Sequence, residues 1–483
     1  MGESDHELSR REFLERSAIT AGVAGAAASL PLNVLLSEAS KAQASPLPTP
    51  RNTPIDHFVV VTMENRSFDH YFGWLSNVAD ATQDQTYTDP EGNSVSTRHA
   101  STLEREWQGC GHPDPGHGWE SGRAQLQNGF LAAGSGNDEF ALTYYDRGEL
   151  AFLHAAARKY TLYDQFFCSL LAPTWPNRYY KWSAQSGGKK DNTPPLSTVG
   201  NQWSTIFDKA IARGLKARYY NSDLPFSAVW GPRGLTWTHK LERFYTDCAS
   251  GRLPHISFVD PPFRDGGGGD GLSADEHPHG DVRLGQAWMA DVVRAFVNSP
   301  NYRRGALFVV YDEWGGFFDH ARPPRVPDAR SNSNLYEDFG QMGFRIPAVA
   351  ISPYTARRLS DGPFRVQHQM LGFESILRLI EHRFGLQALT TRDREASNIG
   401  ATFNWERPNF APLQLPNPQQ IAAQPCSTAG LTDESAQAHE SDLAALEGLA
   451  DRFGFPVGDG KVDSLFTQPD ALRKAVEAGA EGG

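Results

Sequence analysis

Residues 55–63, Ile-Asp-His-Phe-Val-Val-Val-Thr-Met, run directly into residues 64–73, Glu-Asn-Arg-Ser-Phe-Asp-His-Tyr-Phe-Gly. The first stretch is β-branched and aromatic with little polar alternation, the pattern of a strand buried on both faces. The second places carboxylate, amide, guanidinium and imidazole groups where that strand ends. In open α/β sheets, ligands bind outside the C-terminal ends of parallel strands. Hard cations and phosphate oxygens are both held by such groups.

Further apolar runs lie outward from this stretch. Residues 217–220, 256–260, 306–311 and 348–351 read as strands. Residues 138–160, 204–214, 281–299, 373–384 and 439–453 read as helices, several with an apolar stripe. Strands alternating with helices predict an α/β fold: a mostly parallel central sheet with helices on both faces. Residues 78–135 are polar and Gly/Asp-rich and read as a long, loop-rich excursion. The expected division is a signal segment over 1–44, a Pro-rich tether over 45–54, a catalytic domain over 55–400, and a C-terminal wrap with a last helix over 401–483.

Ser9-Arg10-Arg11-Glu12-Phe13-Leu14, an apolar stretch over 18–36, and Ala42-Gln43-Ala44 have the form of a cleavable twin-arginine signal. Pro31 and Asn33 interrupt the apolar stretch, which argues against a membrane anchor. The expectation is export of the folded protein by the twin-arginine machinery to the periplasm or the medium. The chain carries a formal charge of −12, and the first 44 residues hold four Lys/Arg and six Asp/Glu, which leaves −10 on the rest. That balance argues against nucleic acid as a partner. An acidic protein that handles phosphate needs metal, arginine or helix N-termini to supply local positive charge. The four cysteines, Cys110, Cys168, Cys248 and Cys426, form no CxxC pair, so a thiolate zinc site is not expected. In an oxidising compartment they allow one or two disulfides of open pairing.

Four constellations carry chemistry. Glu64-Asn65 offers a carboxylate and an amide oxygen to a divalent cation, or an amide N–H to a phosphoryl oxygen; as a structural alternative the pair caps a helix. Thr174, within Pro173-Thr174-Trp175-Pro176, stands at a turn into a helix. It is either a nucleophile at a helix N-terminus or an ordinary N-cap. Within Glu276-His277-Pro278-His279-Gly280-Asp281, His277 and Asp281 either share a site or, alternatively, Asp281 caps the next helix. Asp312-Glu313, at the end of a buried strand, is a pair of acids that needs a cation to compensate it. His117, before Gly118-Trp119, adds an imidazole from the excursion. GxSxG, GxxxxGK[ST] and a GxGxxG after the first strand are all absent, which weakens serine-hydrolase, P-loop and dinucleotide readings.

The blocks MENRSFDHYFG at 63–73, PTWPNRYY at 173–180, EHPHGDVRLGQ at 276–286 and VVYDEWGGFFDH at 309–320 occur in that order. Together they resemble the bacterial phosphoesterase family of phospholipases C and acid phosphatases, within the alkaline-phosphatase-like superfamily. The resemblance runs from about Ile55 to Leu386. It implies an alkaline-phosphatase-like fold and a divalent metal ion (Ca, Mg, Mn or Zn) held by Glu64, Asn65, Asp312 and Glu313. It implies Thr174 as the nucleophile, which is Ser in the acid phosphatase branch, and His277 and His117 as site histidines. Asn65, Arg178 and Trp175 are the residues expected to meet substrate; Arg178, one turn after Thr174, either binds phosphate or, alternatively, makes a structural salt bridge. The family often has a histidine where this chain has Phe373, with His368 a few residues earlier. The long haemolytic enzymes carry extra C-terminal β-domains, which are not expected here.

The expected function is an exported, metal-dependent phosphoric-ester hydrolase of phospholipase C type. It would cleave phospholipid head groups through a phospho-threonine, with His277 protonating the leaving alkoxide and transient contact with a membrane surface. An aromatic cage of Trp175, Tyr179, Trp314 and Phe317 would suit a choline cation. The alternatives are a broad acid phosphatase acting on monoesters and a non-enzymatic exported binding protein.

Overall fold

The computed structural model describes residues 46–75, 85–103, 105–264, 273–358, 361–411, 413–418, 421, 426 and 434–458, with side chains of the last segment from 439 onward. The signal segment lies outside the described residues.

An eight-stranded sheet forms the centre. Its strands are β1 (His57–Met63), β2 (Thr161–Tyr163), β3 (Ala217–Asn221), β4 (Thr238–Lys240), β5 (Ile256–Asp260), β6 (Gly305–Tyr311), β7 (Ala348–Ile351) and β8 (Arg365–Gln367). Their spatial order is β8-β2-β7-β6-β1-β5-β3-β4. All neighbouring pairs are parallel except those made by β7, which runs antiparallel to both β6 and β2. The sheet is therefore the mostly parallel one that the apolar runs predict. β1 and β6 occupy its middle, buried along nearly their whole length, as continuous apolar strands must be.

Register places the chemistry. Met63 lies opposite Tyr311, and Val61 opposite Val259. Glu64-Asn65, Asp312-Glu313 and Asp260 therefore emerge together at the C-terminal ends of three adjacent strands. Helices flank the sheet: α1 (Phe68–Phe72), α2 (Trp119–Asn128), α3 (Ala151–Lys159), α4 (Thr174–Ser183), α5 (Ile206–Ala212), α6 (Leu241–Ala249), α7 (Val282–Val297), α8 (Phe373–Phe384) and α9 (Glu434–Phe453). Among the described residues, no helix is long and apolar enough to cross a membrane.

Two expectations need correction. Residues 138–160 are not one helix. Asp138 caps a short 3₁₀ turn, Glu139–Leu142, by accepting from the Phe140 N–H. Thr143–Tyr144 then pairs with Arg98–His99, and α3 begins only at Ala151, after Gly148 at φ +91°. The excursion over 78–135 also carries more structure than expected, including α2 and a small hairpin pairing Thr86–Thr88 with Ser94–Ser96. Cys110 in this excursion is disulfide-bonded to Cys426 of the C-terminal wrap, while Cys168 and Cys248 are free and buried.

Candidate active site

Asn65 turns the chain out of β1 in the left-handed region, at φ +59°. Ser67 then caps α1 by accepting from the His70 N–H. Arg66 to Gly73 is thus scaffolding: Arg66 Nε bonds the Glu276 carbonyl at 2.8 Å, and His70 Nδ1 bonds the Thr143 carbonyl at 2.5 Å. The loop after β6 packs directly on this turn. Gly315, at φ +64°, leaves no room for a Cβ, which would lie 2.1 Å from the Asn65 carbonyl oxygen. A Cβ on Gly316 would lie 2.7 Å from the Gly116 carbonyl oxygen. The Gly315-Gly316 pair is what lets the acid loop touch both the Asn65 turn and the His117 loop.

Thr174 is the first residue of α4. Pro173 occupies the N-cap and no side-chain cap bond is made there, so Thr174 is not the helix cap. A proline cannot cap with its side chain, and a helix start without its own side-chain cap suits an anion. Thr174, Glu64 and Arg178 line one cleft, together with Trp175, Phe226 and Phe263. Its other wall is α9, through His439, Asp442, Leu443 and Leu446. Asn192 ties that wall to α4, since its Oδ1 accepts from the Trp175 N–H at 2.8 Å and its Nδ2 donates to Asp442 at 2.5 Å.

Arg178, one turn beyond Thr174, is not free for phosphate. Its three nitrogens donate to Glu64 at 2.8 Å, Asp260 at 2.8 Å and Asp312 at 3.0 Å, and it is buried. Lys181 Nζ lies 3.5 Å from Asp260. Four buried carboxylates, Glu64, Asp260, Asp312 and Glu313, thus meet two cations. Burial, and then the Asp312 charge, pushes Glu64 well above the usual carboxylate range despite Arg178. Burial also raises Asp312 against the pull of Arg178 and Lys181. Glu313 is driven well up by burial, then by Asp312, Glu64 and Asp114. Lys181 is brought down to about 8 by burial.

This imbalance is what a divalent cation relieves. Glu313 Oε1 and Asn65 Oδ1 are both buried with no hydrogen-bond partner, so two hard oxygen donors stand ready. Asn65 N–H and Glu313 N–H both donate to Asp312 Oδ1, at 3.3 and 2.8 Å, which fixes the carboxylate between the two motifs. The residues present therefore fit a cation, although Arg178 bridges Glu64 and Asp312 rather than leaving them side by side.

The histidines come from opposite sides. Asn65 Nδ2 lies 3.3 Å from His117 Nε2, and His117 Nδ1 is 2.7 Å from the Pro115 carbonyl oxygen. His277 is held by its own turn. Glu276, at φ +74°, accepts from the Tyr71 and Tyr311 hydroxyls at 2.6 and 2.7 Å and from Gln286, which locks the residue before His277. Asp281 does not join it: its carboxylate caps α7 at the Arg283 N–H and pairs with the Arg283 guanidinium. His277 Nδ1 is 2.6 Å from the Pro278 carbonyl oxygen. At that distance Nδ1 carries the hydrogen and donates it, which leaves Nε2 bare in the neutral ring. Burial first, then the neighbouring His439 and His117, holds His277 well below the ordinary histidine range. His277 at rest is a neutral ring with a lone pair on Nε2, not the proton donor expected for the leaving group.

Other expectations fail on burial. Tyr179, Trp314 and Phe317 form no cage with Trp175. Tyr179 packs among Trp203, Phe226 and Trp230, Trp314 Nε1 bonds Gln125 at 2.8 Å, and Phe317 stacks on His70. Only Trp175 reaches the cleft. His368 pairs with Asp164 at 2.7 Å and Phe373 is core, so neither lines the cleft. Asp114, Asp260 and His439 are site residues that sequence reasoning passed over. His439 stacks on His277 with ring centroids 3.7 Å apart.

An acid cluster fit for a divalent cation, beside a hydroxyl at a helix N-terminus and at the C-terminal edge of a parallel sheet, defines a phosphoryl-handling α/β protein. The profile of the Phosphoesterase family matches residues 55–387, and the chain belongs to that family. It is 30% identical to phospholipase C B of Mycobacterium tuberculosis over 86% of this chain and 87% of that one. It is 28% identical to non-specific phospholipase C6 of Arabidopsis thaliana over 77% and 78%, and 27% identical to the non-hemolytic phospholipase C of Pseudomonas aeruginosa over 86% and 66%. A solved protein in the alkaline phosphatase superfamily from Vibrio parahaemolyticus aligns over 93% of this chain and 98% of its own, with 10% identity and a TM-score of 0.36. The chain is a phosphoric ester hydrolase.

Proposed function

We propose that this chain is an exported, metal-dependent hydrolase of phospholipase C type, cleaving phospholipid head groups through a covalent phospho-threonine. The observation that carries the metal dependence is the buried acid cluster, in which Glu313 Oε1 and Asn65 Oδ1 lack partners and four carboxylates face two cations. Glu64, Asn65, Asp312 and Glu313 would hold the ion, one hard enough to accept an all-oxygen set, Ca²⁺, Mg²⁺ or Mn²⁺. When bound, it supplies Lewis acidity toward a phosphoryl oxygen and lowers the pKa of a neighbouring hydroxyl. Thr174 Oγ1 attacks phosphorus in line, forming the Oγ1–P bond as the bond to the leaving oxygen breaks. The leaving alkoxide takes up the proton that Thr174 Oγ1 gives up, relayed through water in the cleft. A second water then opens the phospho-threonine and restores Thr174.

Three features support phospholipid as substrate and export as destination. The named relatives are phospholipases C. The cleft wall is apolar, through Trp175, Phe226, Phe263, Leu443 and Leu446. The Cys110–Cys426 disulfide suits an oxidising compartment, in keeping with the twin-arginine signal read at 9–14 and its machinery as a partner. One observation favours the second reading, a phosphomonoesterase: α9 walls the cleft and narrows it toward small esters.

The test is a parallel assay on phosphatidylcholine vesicles and a soluble aryl phosphate, before and after chelation. Diacylglycerol release that is lost on chelation and restored by Mg²⁺, Ca²⁺ or Mn²⁺ is the expected result. Turnover of the monoester alone refutes the lipase reading, and turnover untouched by chelation refutes the metal.

A further inference from the structure

One loop beside the cleft offers apolar side chains to solvent. Among the described residues, Leu196 is 92% exposed, more than any other large hydrophobic side chain, and Val199 is 51% exposed. Both stand in Thr193-Pro194-Pro195-Leu196-Ser197-Thr198-Val199, a stretch with no charged side chain. The loop lies between α4, the helix that starts at Thr174, and α5.

Both ends of the loop are fixed. Before it, Asn192 lines the cleft with Thr174, accepts from the Trp175 N–H at 2.8 Å and donates to Asp442. Lys189 Nζ donates to the Thr193 carbonyl at 3.0 Å. After it, Gly200, at φ +71°, packs so closely on Trp230-Gly231 that a Cβ would lie 2.4 Å from the Gly231 nitrogen. Gln202 Nε2 donates to the Val199 and Gly200 carbonyls at 2.9 and 3.1 Å. Between these anchors the rings of Pro194 and Pro195 restrict φ, and Pro195 is buried. Leu196 is therefore presented on a stiff support that has little conformational freedom to lose on binding. Four positions separate it from Asn192, so it lies within ~14 Å of the cleft wall along the chain.

Singly exposed apolar residues are common on protein surfaces. Here two share a stiff, uncharged tip that is rooted in the wall of a cleft. A tip without charge enters a lipid interface with no ion to desolvate. The chain as a whole carries a charge of −12, which is repelled by an anionic surface and indifferent to a zwitterionic one. We propose that the 193–199 loop seats this protein on a zwitterionic phospholipid bilayer, with Leu196 and Val199 entering the interface and the Thr174 cleft brought up to the head groups. The choice of phospholipid rests on the phospholipase C reading. Two side chains give weak, reversible seating, since even a single myristoyl chain binds membranes only marginally.

The test is co-sedimentation of the exported form of the protein, free of the apolar signal stretch, with phosphatidylcholine vesicles. Wild type is compared with Leu196→Gln and with the double variant Leu196→Gln, Val199→Gln. Turnover is followed on the same vesicles and on short-chain phosphatidylcholine below its micelle concentration. The double variant is expected to partition onto vesicles roughly tenfold or more weaker, with Leu196→Gln between it and wild type. Vesicle turnover at low lipid falls in proportion, while turnover of the dispersed lipid stays at the wild-type value. Partition of the double variant equal to wild type overturns the proposal. An equal loss on both substrates also overturns it, because the loop would then act within the cleft. So does vesicle binding by wild type that requires anionic lipid, or none at all. Vesicle binding that the variants lose, with no diacylglycerol released from either substrate, upholds the docking loop and refutes the phospholipase reading.

Discussion

Two clusters in this molecule have nearly the same ingredients and opposite character. One is Glu64, Asp260, Asp312 and Glu313 around Arg178. The other is Asp69, Asp319 and His320 around Arg345; of the two, it is this one whose three ligand atoms lie within 4.8 Å of one another. In the second, the charges are matched. Arg345 bonds Asp69 at 2.7 Å and Asp319 at 2.9 Å, His320 Nδ1 bonds Asp69 at 2.6 Å, and the Asp69 and His320 backbone N–H groups add donors. Burial pushes Asp69 up, yet Arg345 and His320 bring it below the usual carboxylate value. Asp319 reaches only about 6, raised by burial and held back by Arg345. In the first cluster Glu64, Asp312 and Glu313 all stay raised, and two oxygens lack partners. Residue type does not separate a binding site from a structural knot; leftover charge and unused donors do.

That contrast is broken or sharpened most strongly by Asp312→Asn. Loss of a ligand there is expected to lower kcat by ~10²-fold or more, in line with losing one electrostatic group at a reacting centre. Bound hard metal falls with it, and the melting temperature holds or rises because a buried like charge is relieved. A variant with wild-type turnover would remove the acid cluster from the chemistry.

Arg345→Met is the mirror image. It strands two buried carboxylates and is expected to cost about 3–5 kcal/mol of stability by denaturant melts, as breaking a buried ion pair does. Metal content per folded molecule should not change. If Arg345→Met loses metal while remaining folded, the two clusters are not separate.

The pH dependence of the structural cluster has a definite sign. The folded value of Asp69 is depressed, so its contribution is present above the unfolded aspartate value near ~3.9 and fades as pH falls through the folded value. His320 is raised, chiefly by Asp69 against burial, so its contribution is full below the unfolded histidine value near ~6.5 and is lost as pH rises through the folded one. His320→Gln should therefore flatten the fall in melting temperature on the alkaline side. An unchanged profile removes His320 from the network. The smallest effect is expected of His439→Ala, which uncovers His277 without removing a ligand: a few-fold change in KM for a bulky ester, and a smaller one in kcat. A loss as large as that of Asp312→Asn would make His439 part of the catalytic machinery.

Much of the frame was legible in the sequence. β5 and α8 fall where their apolar patterns put them, because β5 is a short, sharply bounded strand and α8 a full amphipathic repeat ended by Gly385. Glu64, Asn65, Asp312 and Glu313 were readable for the same reason: each follows a central strand, and position at a strand end is a local property. Arg178 stayed open between phosphate ligand and salt bridge because its partners, Glu64, Asp260 and Asp312, follow or end three different strands and are adjacent only through the sheet order. Asp260 was a single acid at a strand end with no motif around it. His439 had no periodic signal linking a C-terminal helix to a loop 162 positions earlier in the chain, where His277 stands. The disulfide, joining residues 316 apart, was equally out of reach of spacing. The tautomers of His117 and His277, on which their chemistry turns, are set by carbonyls that only the folded loops present.

The central claim is that Thr174 carries the phosphoryl group between the two half-reactions. It is tested most directly by mixing enzyme with substrate labelled at phosphorus, quenching in acid within a turnover, and mapping the label by mass spectrometry. The account predicts one phosphate on the peptide containing Thr174, absent in Thr174→Ala, whose turnover falls roughly 10⁴-fold or more, as for loss of other enzymatic nucleophiles. Label on another residue, or full turnover by Thr174→Ala, would contradict it.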